Sequence, residues 1–232
     1  MIQSPDYCLI NGISSNKIDI YVDTPSVPTM ARQRYTTYQT GADEDSTSPD
    51  NTFENINYSL IFYTFNRENF DNTDIYSYFA KAETLQISRL PDYYFKVREI
   101  YIDTPENVFR GKKIRYTANF VLAPFKYLID NPEIALTNDS VIKNRGTRYS
   151  RPIFKINGSG DIKLIVNGEN FEIKNISDNT IVDSQRYITY SGNNLFHNRT
   201  NGKYPFLAVG DNVVSWEGNI SSMKIIRNER CY

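Results

Sequence analysis

Histidine, cysteine and tryptophan are scarce in this 232-residue chain: one His, two Cys and one Trp. Cys8 and Cys231 stand near opposite ends, and two cysteines make neither a disulfide framework nor a zinc-ligand spacing. The expectation is no metal centre and no cofactor. His197 lies in the polar stretch Phe196–Gly202 with no nucleophile marked against it, and no Gly-x-Ser-x-Gly elbow occurs. No catalytic constellation is legible, and the chain reads as a non-enzyme. A net charge of −1 leaves no basic field for nucleic acid or an anionic membrane. No apolar run approaches the roughly 20 residues that span a bilayer. Residues Met1–Ile10 lack a basic segment ahead of an apolar one. Synthesis and folding in a reducing cytoplasm are therefore expected, with no membrane insertion.

Aromatic residues are what the chain has in excess, with 18 Tyr and 13 Phe. Part of this follows from β-propensity. A tyrosine-rich surface also suits protein contacts, because the ring buries area while its hydroxyl stays bonded. Most segments read as strands. Asp6–Val22 reads as a strand, a turn at Asn11-Gly12 and a second strand from Lys17. The prolines between Thr24 and Pro28 break regular structure. Arg32–Gln39 reads as extended, and Gly41–Thr52 as a mobile acidic loop. Tyr58–Thr64 is nearly continuous in apolar residues and reads as a buried strand. Ile75, Tyr78, Phe79 and Ala82 recur at helical spacing behind the capping residues Asp71, Asn72 and Thr73, which predicts one short helix over 73–81. Tyr94–Asp103 and Lys113–Leu122 read as strands joined through Asn107–Lys112. In the second of these, Ile114, Tyr116, Ala118, Phe120 and Leu122 share one face.

Composition then shifts. Asp130–Tyr149 is polar and reads as a connector. Beyond it Ile162–Val166 and Asn170–Lys174 flank Asn167-Gly168, a strong hairpin signal because both residues tolerate positive φ. Further strands are expected at Arg186–Tyr190, Pro205–Val209, Val213–Trp216 and Ile220–Ile226. Turns are expected at Ser191–Asn193, Asn201-Gly202, Gly210–Asn212 and Glu217–Asn219. Short strands separated by turn residues indicate sandwich or barrel architecture. The fold class is mainly β, two β-sandwich-type domains, the first with a single short helix. Their bounds are 1–130, a connector over 131–150, and 151–232.

Three stretches invite a chemical reading. Asp43, Asp45, Thr47, Asn51 and Glu54 match positions of a calcium loop, but Ser48 and Pro49 occupy the sharp turn that needs glycine. A solvated acidic loop accounts for them. Asn157–Asp161, NGSGD, lacks the Gly-Lys-Ser/Thr ending and the helix of a phosphate loop, and a tight turn explains it. Trp216, with Tyr190 and Tyr204, is a candidate glycan-stacking platform. This supports an alternative reading as a carbohydrate-binding module for host cell-wall glycans. Trp216 also sits in one strand with Val213 and Val214, so a place in the core is the alternative reading of it.

The run Arg151–Gly168 (RPIFKINGSGDIKLIVNG), Ile181–Ser184 (IVDS) and the late pattern Gly210, Asn212, Ser215, Trp216, Gly218 resemble the phage distal tail protein family. An early Asn11-Gly12-Ile13, the strand at Tyr58, the helix ahead of Leu85–Ser88 and Ala123–Tyr127 agree in order and spacing. The resemblance extends over essentially the full chain. It implies a structural virion protein of the tail tip of a long non-contractile phage tail, made in the host bacterial cytoplasm. It implies an N-terminal belt domain forming a homo-hexameric ring and a galectin-like C-terminal sandwich. The implied partners are the tail tube protein, the tail-associated tip protein and receptor-binding proteins, with DNA passing through the channel without specific nucleic-acid binding. Relatives carry a Gly-Arg-Asp-Gly-like turn where this chain has Gln39–Asp43. The 82 residues from Arg151 to Tyr232 leave no room for the inserted carbohydrate module of larger relatives.

Overall fold

The computed structural model describes residues 6–38, 46–65, 73–110, 112–196 and 198–232. The chain is mainly β and divides into two compact units, Met1–Lys126 with Tyr232, and Tyr127–Cys231. Each unit has its own apolar core.

Among the described residues, ten strands build the first unit. They are β1 (Cys8–Ile10), β2 (Ile13–Ser14), β3 (Tyr21–Val22), β4 (Gln33–Tyr38), β5 (Ser46–Phe53), β6 (Ile56–Phe65), β7 (Thr84–Ile87), β8 (Tyr93–Ile102), β9 (Glu106–Val108) and β10 (Lys113–Leu128). The main sheet runs in the order β2-β1-β7-β8-β10-β6-β3, with β9 also against β10. The β6–β10 ladder is regular from Phe65↔Lys113 to Ile56↔Leu122. Every second residue of β6 is buried, so this strand is covered on one face rather than both. Its aromatic outer positions made it read as apolar throughout. Ser15–Ile18, where a strand from Lys17 was expected, is instead a 3-10 turn. Ser14 caps it, and Asp19 in the left-handed region ends it.

The helix α1 (Thr73–Ala80) forms where the apolar spacing predicts it, and it buries Ile75 and Phe79. The ring of Phe79 lies 5.0 Å from Phe62, which stacks on Tyr116 at 5.0 Å and 4°. Burying each such ring contributes about 1.5–3 kcal/mol relative to exposure. Beside it the Tyr78 hydroxyl donates to the Ile13 carbonyl at 2.8 Å and accepts from the Ile10 amide at 3.3 Å. Asn11 carries φ +50 at the first turn, and its side-chain oxygen accepts from the amides of Glu83 and Thr84. The proposed caps Asp71 and Asn72 lie outside the described residues.

The second unit contains β11 (Ile134–Leu136), β12 (Ser140–Asn144), β13 (Ile153–Val166), β14 (Glu169–Ile176), β15 (Thr180–Asp183), β16 (Ile188–Ser191), β17 (Asn194–Leu195), β18 (Thr200–Gly202), β19 (Gly210–Ile226) and β20 (Arg230–Cys231). Two long strands organise it. The first half of β13 pairs with β15, its second half with β14, and β19 runs alongside both. The register slips at Asn157/Gly158 and again between Ser159 and Lys163. The layers are therefore β18-β14-β13-β19-β12 and β17-β16-β15-β13-β19-β11, sharing the two bulged strands. Strands that change sheet at a bulge are one way a sandwich turns its corner.

Glycine makes the corner possible. A Cβ on Gly158 would stand 2.3 Å from the Asn219 carbonyl oxygen, and one on Gly218 (φ +108) 2.6 Å from that of Asp161. Two expected turns, at Asn157–Asp161 and Glu217–Asn219, are in fact the continuous, bulged middles of β13 and β19. An isolated glycine signals either a turn or a close backbone approach, and here it is the approach. Similarly Asn201-Gly202 lies within β18, and Asp211-Asn212 within β19. Pro205–Val209 carries only a bridge from Leu207 to Ser150. The Asn167-Gly168 hairpin forms as expected, with φ +52 and +82 and Val166 opposite Glu169.

Residues 131–150, expected to form a connector, hold β11 and β12, both laddered onto β19. Their polarity misleads because few of their residues turn inward: Leu136, Ile142 and Asn144 are buried, and Ile134 packs against the core while half-buried.

Candidate functional site

Among the described residues no group of three or more His, Cys, Asp or Glu could hold a metal ion. His197, Asp43 and Asp45 lie outside the described residues. Thr47 and Asn51 of the calcium-like register belong to β5, paired Thr36↔Ser48 and Thr37↔Thr47 with β4 rather than coiled into a loop, and Glu54 follows the strand's end. Cys8 and Cys231 are free, buried thiols. Burial pushes the Cys8 thiol up to about 11, well away from a reactive thiolate.

The β4–β5 ribbon is the most unusual surface feature of the first unit. It forms a separate two-stranded sheet, and its residues are exposed nearly throughout. Tyr35 is 58 % and Tyr38 56 % exposed. A lone two-stranded ribbon is marginal in water, so its stability draws on its root. There Phe53 packs edge-on against Phe125 at 5.0 Å and against Tyr232 at 5.8 Å. The Glu54 amide donates to the Arg32 carbonyl at 2.9 Å, and the Lys126 ammonium bonds the Tyr232 carbonyl oxygen. Polarity made β5 read as a loop. Apart from Phe53 at its end, nothing on either face of β5 needs burial, so the hydrophobic period that reveals other strands is missing.

Beside the root runs a shallow groove of about 190 Å³ lined by Val27, Met30, Leu90, Phe95, Pro124 and Tyr232. Met30 is 69 % exposed. A ribbon rich in Tyr and Thr, next to an open apolar groove, is suited to contact with other protein chains rather than to bond-making chemistry.

The residues of the late sequence pattern have structural duties. The buried Asn212 donates to the carbonyls of Ile142, Ala208 and Gly210, and its oxygen accepts from the Ala208 amide and the Asn167 side chain, both at 2.7 Å. It thereby ties β12, the segment before β19 and the Asn167-Gly168 hairpin together. Trp216 lies opposite Leu164, which lies opposite Phe171. Leu164 and Phe171 are fully buried, and Trp216 packs against the same core while remaining half-buried. Its amide donates to the Asn138 side chain at 2.8 Å. Tyr204 sits 4.6 Å from Phe171 and edge-on to Tyr187.

Sequence reasoning missed a buried charge centre in the second unit. Glu229 is wholly buried; it receives the Arg145 guanidinium at 2.7 Å and Arg227 at 3.3 Å. Its oxygen also accepts from the Arg145 amide at 2.6 Å. Arg145 reaches on to Asp130 at 2.7 Å, and that hydrogen bond and charge hold the Asp130 carboxyl below its ordinary range. Arg227 and Glu229 fall in the same every-second-residue register as the buried Ile225 and Cys231, and that was the available signal. In sequence it looks like an ordinary solvated end of a strand.

No family model matches the chain, and no curated protein does. Among solved structures, it is similar to the crystal structure of SPP1 Dit (gp 19.1), described as a paradigm of the hub adsorption apparatus in Gram-positive infecting phages. The TM-score is 0.63 over 97 % of this chain and 98 % of that one, at 12 % identity. Both chains share one fold along their whole length.

Proposed function

We propose that this chain is a structural component of a phage tail-tip hub, built into the adsorption apparatus of a long non-contractile tail. The observation that carries the reading is the full-length fold likeness to a hub protein, spanning both units. It agrees with the order of sequence patterns that resemble the distal tail family. On this reading the first unit forms a homo-hexameric ring that docks on the tail tube. The second unit, galectin-like in plan, stands as a platform for the tip and receptor-binding proteins.

The surface supports an assembly role. Closing a ring requires two different patches on each subunit. The first unit offers an exposed aromatic ribbon and an apolar groove. Immunogold labelling of intact virions with antibody to the purified chain tests the reading. Label at the tip of the tail supports it, and label on the capsid, or none on virions, overturns it.

A further inference from the structure

A cleft of about 500 Å³ opens in the second unit, where the β15–β16–β17 strands meet the segment before β18. Its size is that of a small-molecule site, but its lining is polar where such sites are mostly apolar. The Ser177 hydroxyl donates to that of Ser191 at 3.5 Å, and Ser191 donates to the Asp178 carbonyl at 3.1 Å. Both hydroxyl oxygens keep lone pairs to offer. Asn193 and Asn194 stand exposed at the hairpin that pairs Ser191 with Asn194, and their carboxamides engage no other described residue. The Arg199 guanidinium lies over the buried Phe196 ring at 5.0 Å, and no carboxylate among the described residues pairs with it. Its backbone is pinned on both sides. The Arg199 amide donates to the Phe196 carbonyl at 3.2 Å, and its carbonyl accepts from the Lys174 amide at 2.8 Å.

We propose that this cleft binds an acidic saccharide, a sugar carrying a carboxylate or phosphate beside its hydroxyls. Each carboxamide offers a donor and an acceptor together, which matches the adjacent hydroxyls of a sugar ring. Arg199 adds a fork of donors with no acceptor, the group that takes a carboxylate or phosphate through two parallel bonds. Stacking on Phe196 holds that fork in place before a ligand arrives, which lowers the cost of ordering it. Among the described residues no acidic side chain lines the cleft to compete for it. Asp178, the nearest in sequence to Ser177, turns its carboxylate to the Gly158 amide at 3.2 Å. Leu195, 52 % exposed, supplies apolar surface for the C–H face of a sugar. Trp216 is not part of the lining, so this site is separate from the stacking platform that the sequence suggests. The proposal goes beyond the hub reading and does not depend on it. On a tail-tip hub, such a cleft gives the second unit a glycan contact of its own.

The test is an amide-shift NMR titration of the isotope-labelled full chain with glucuronic acid, glucose 6-phosphate and neutral glucose. Acetate, inorganic phosphate and a short polyglutamate peptide serve as anions without a sugar. At least one acidic sugar is expected to shift the amides of Ser191, Asn193, Asn194 and Arg199, and the tighter of the two tells carboxylate from phosphate. Glucose binds the same residues about tenfold more weakly or less. Arg199→Ala weakens the acidic sugar by about tenfold and brings it level with glucose, while Arg199→Lys restores part of the difference. Asn194→Ala weakens acidic and neutral sugars alike. Both side chains are exposed, so melting temperatures stay at the wild-type value. Trp216→Phe retains binding. No shift at the cleft with either acidic sugar overturns the proposal. Acetate, phosphate or polyglutamate binding as tightly as the acidic sugars also overturns it, since the cleft then reads charge and not sugar. Binding lost in Trp216→Phe and kept in Arg199→Ala returns the site to the platform and overturns the cleft. Each of these results leaves the hub reading standing.

Discussion

Replacing Glu229 with alanine isolates the largest single electrostatic commitment of the second unit. The carboxylate has no solvent exposure, and the Arg227 side chain beside it is only 10 % exposed. Removal leaves Arg227 as an uncompensated buried charge and strips the Arg145 amide of its 2.6 Å acceptor. Breaking a buried ion pair from one side costs about 3–5 kcal/mol. The Arg145 side chain is 37 % exposed and recovers solvation, which places the expected loss near the low end. We expect about 3 kcal/mol, or roughly 6–12 °C in melting temperature for a cooperative chain of this size. Glu229→Gln keeps an acceptor for the amide and loses about half as much. Calorimetry with urea unfolding measures both, and a double-mutant cycle with Arg145→Ala should return a coupling above about 1 kcal/mol. A loss under about 0.5 kcal/mol for Glu229→Ala would refute the reasoning, because a buried carboxylate cannot be that dispensable while its partners stay in place.

Asn212→Ala removes an amide that serves three carbonyls and two donors, and about 2–4 kcal/mol of stability should go with it, read by the same denaturant titration. Gly218→Ala places a methyl 2.6 Å from a backbone oxygen at φ +108; soluble yield and melting temperature should fall more than for Gly192→Ala, whose Cβ meets nothing within 4 Å. The Cys8 thiol titrates at about 11 against an ordinary value of 9.0. The unfolded chain therefore sheds that proton first, and stability falls by about 1.4 kcal/mol per pH unit between pH 9 and 11. Cys8→Ala should flatten part of that alkaline slope, and an unchanged slope contradicts the assignment.

Local periodicity made some elements readable and hid others. The helix was legible because Ile75 and Phe79 face the core at helical spacing, and the Asn167-Gly168 hairpin because both residues accept positive φ. The bulged strands were not. Gly158 and Gly218 look like turn residues until their cross-strand neighbours are known, and that proximity exists only once β13 and β19 pair. The ribbon and β12 were hidden for the opposite reason, since strands held by backbone pairing with little to bury leave no hydrophobic period. At the candidate surface, Phe53, Phe125 and Tyr232 meet at the root of the ribbon from distant points of the chain. Sequence shows the aromatic residues but not that they gather there. Trp216 was legible as both platform and core, and its row with Leu164 and Phe171 explains why the core side of that reading carries weight.

The central claim is a ring-forming hub subunit, and its stoichiometry is the most direct test. Native mass spectrometry of the purified chain, alone and with its tail-tube partner, together with negative-stain images, should give six copies in a closed ring. A stable dimer or a monomer under every condition, with no rings in the micrographs, would contradict it.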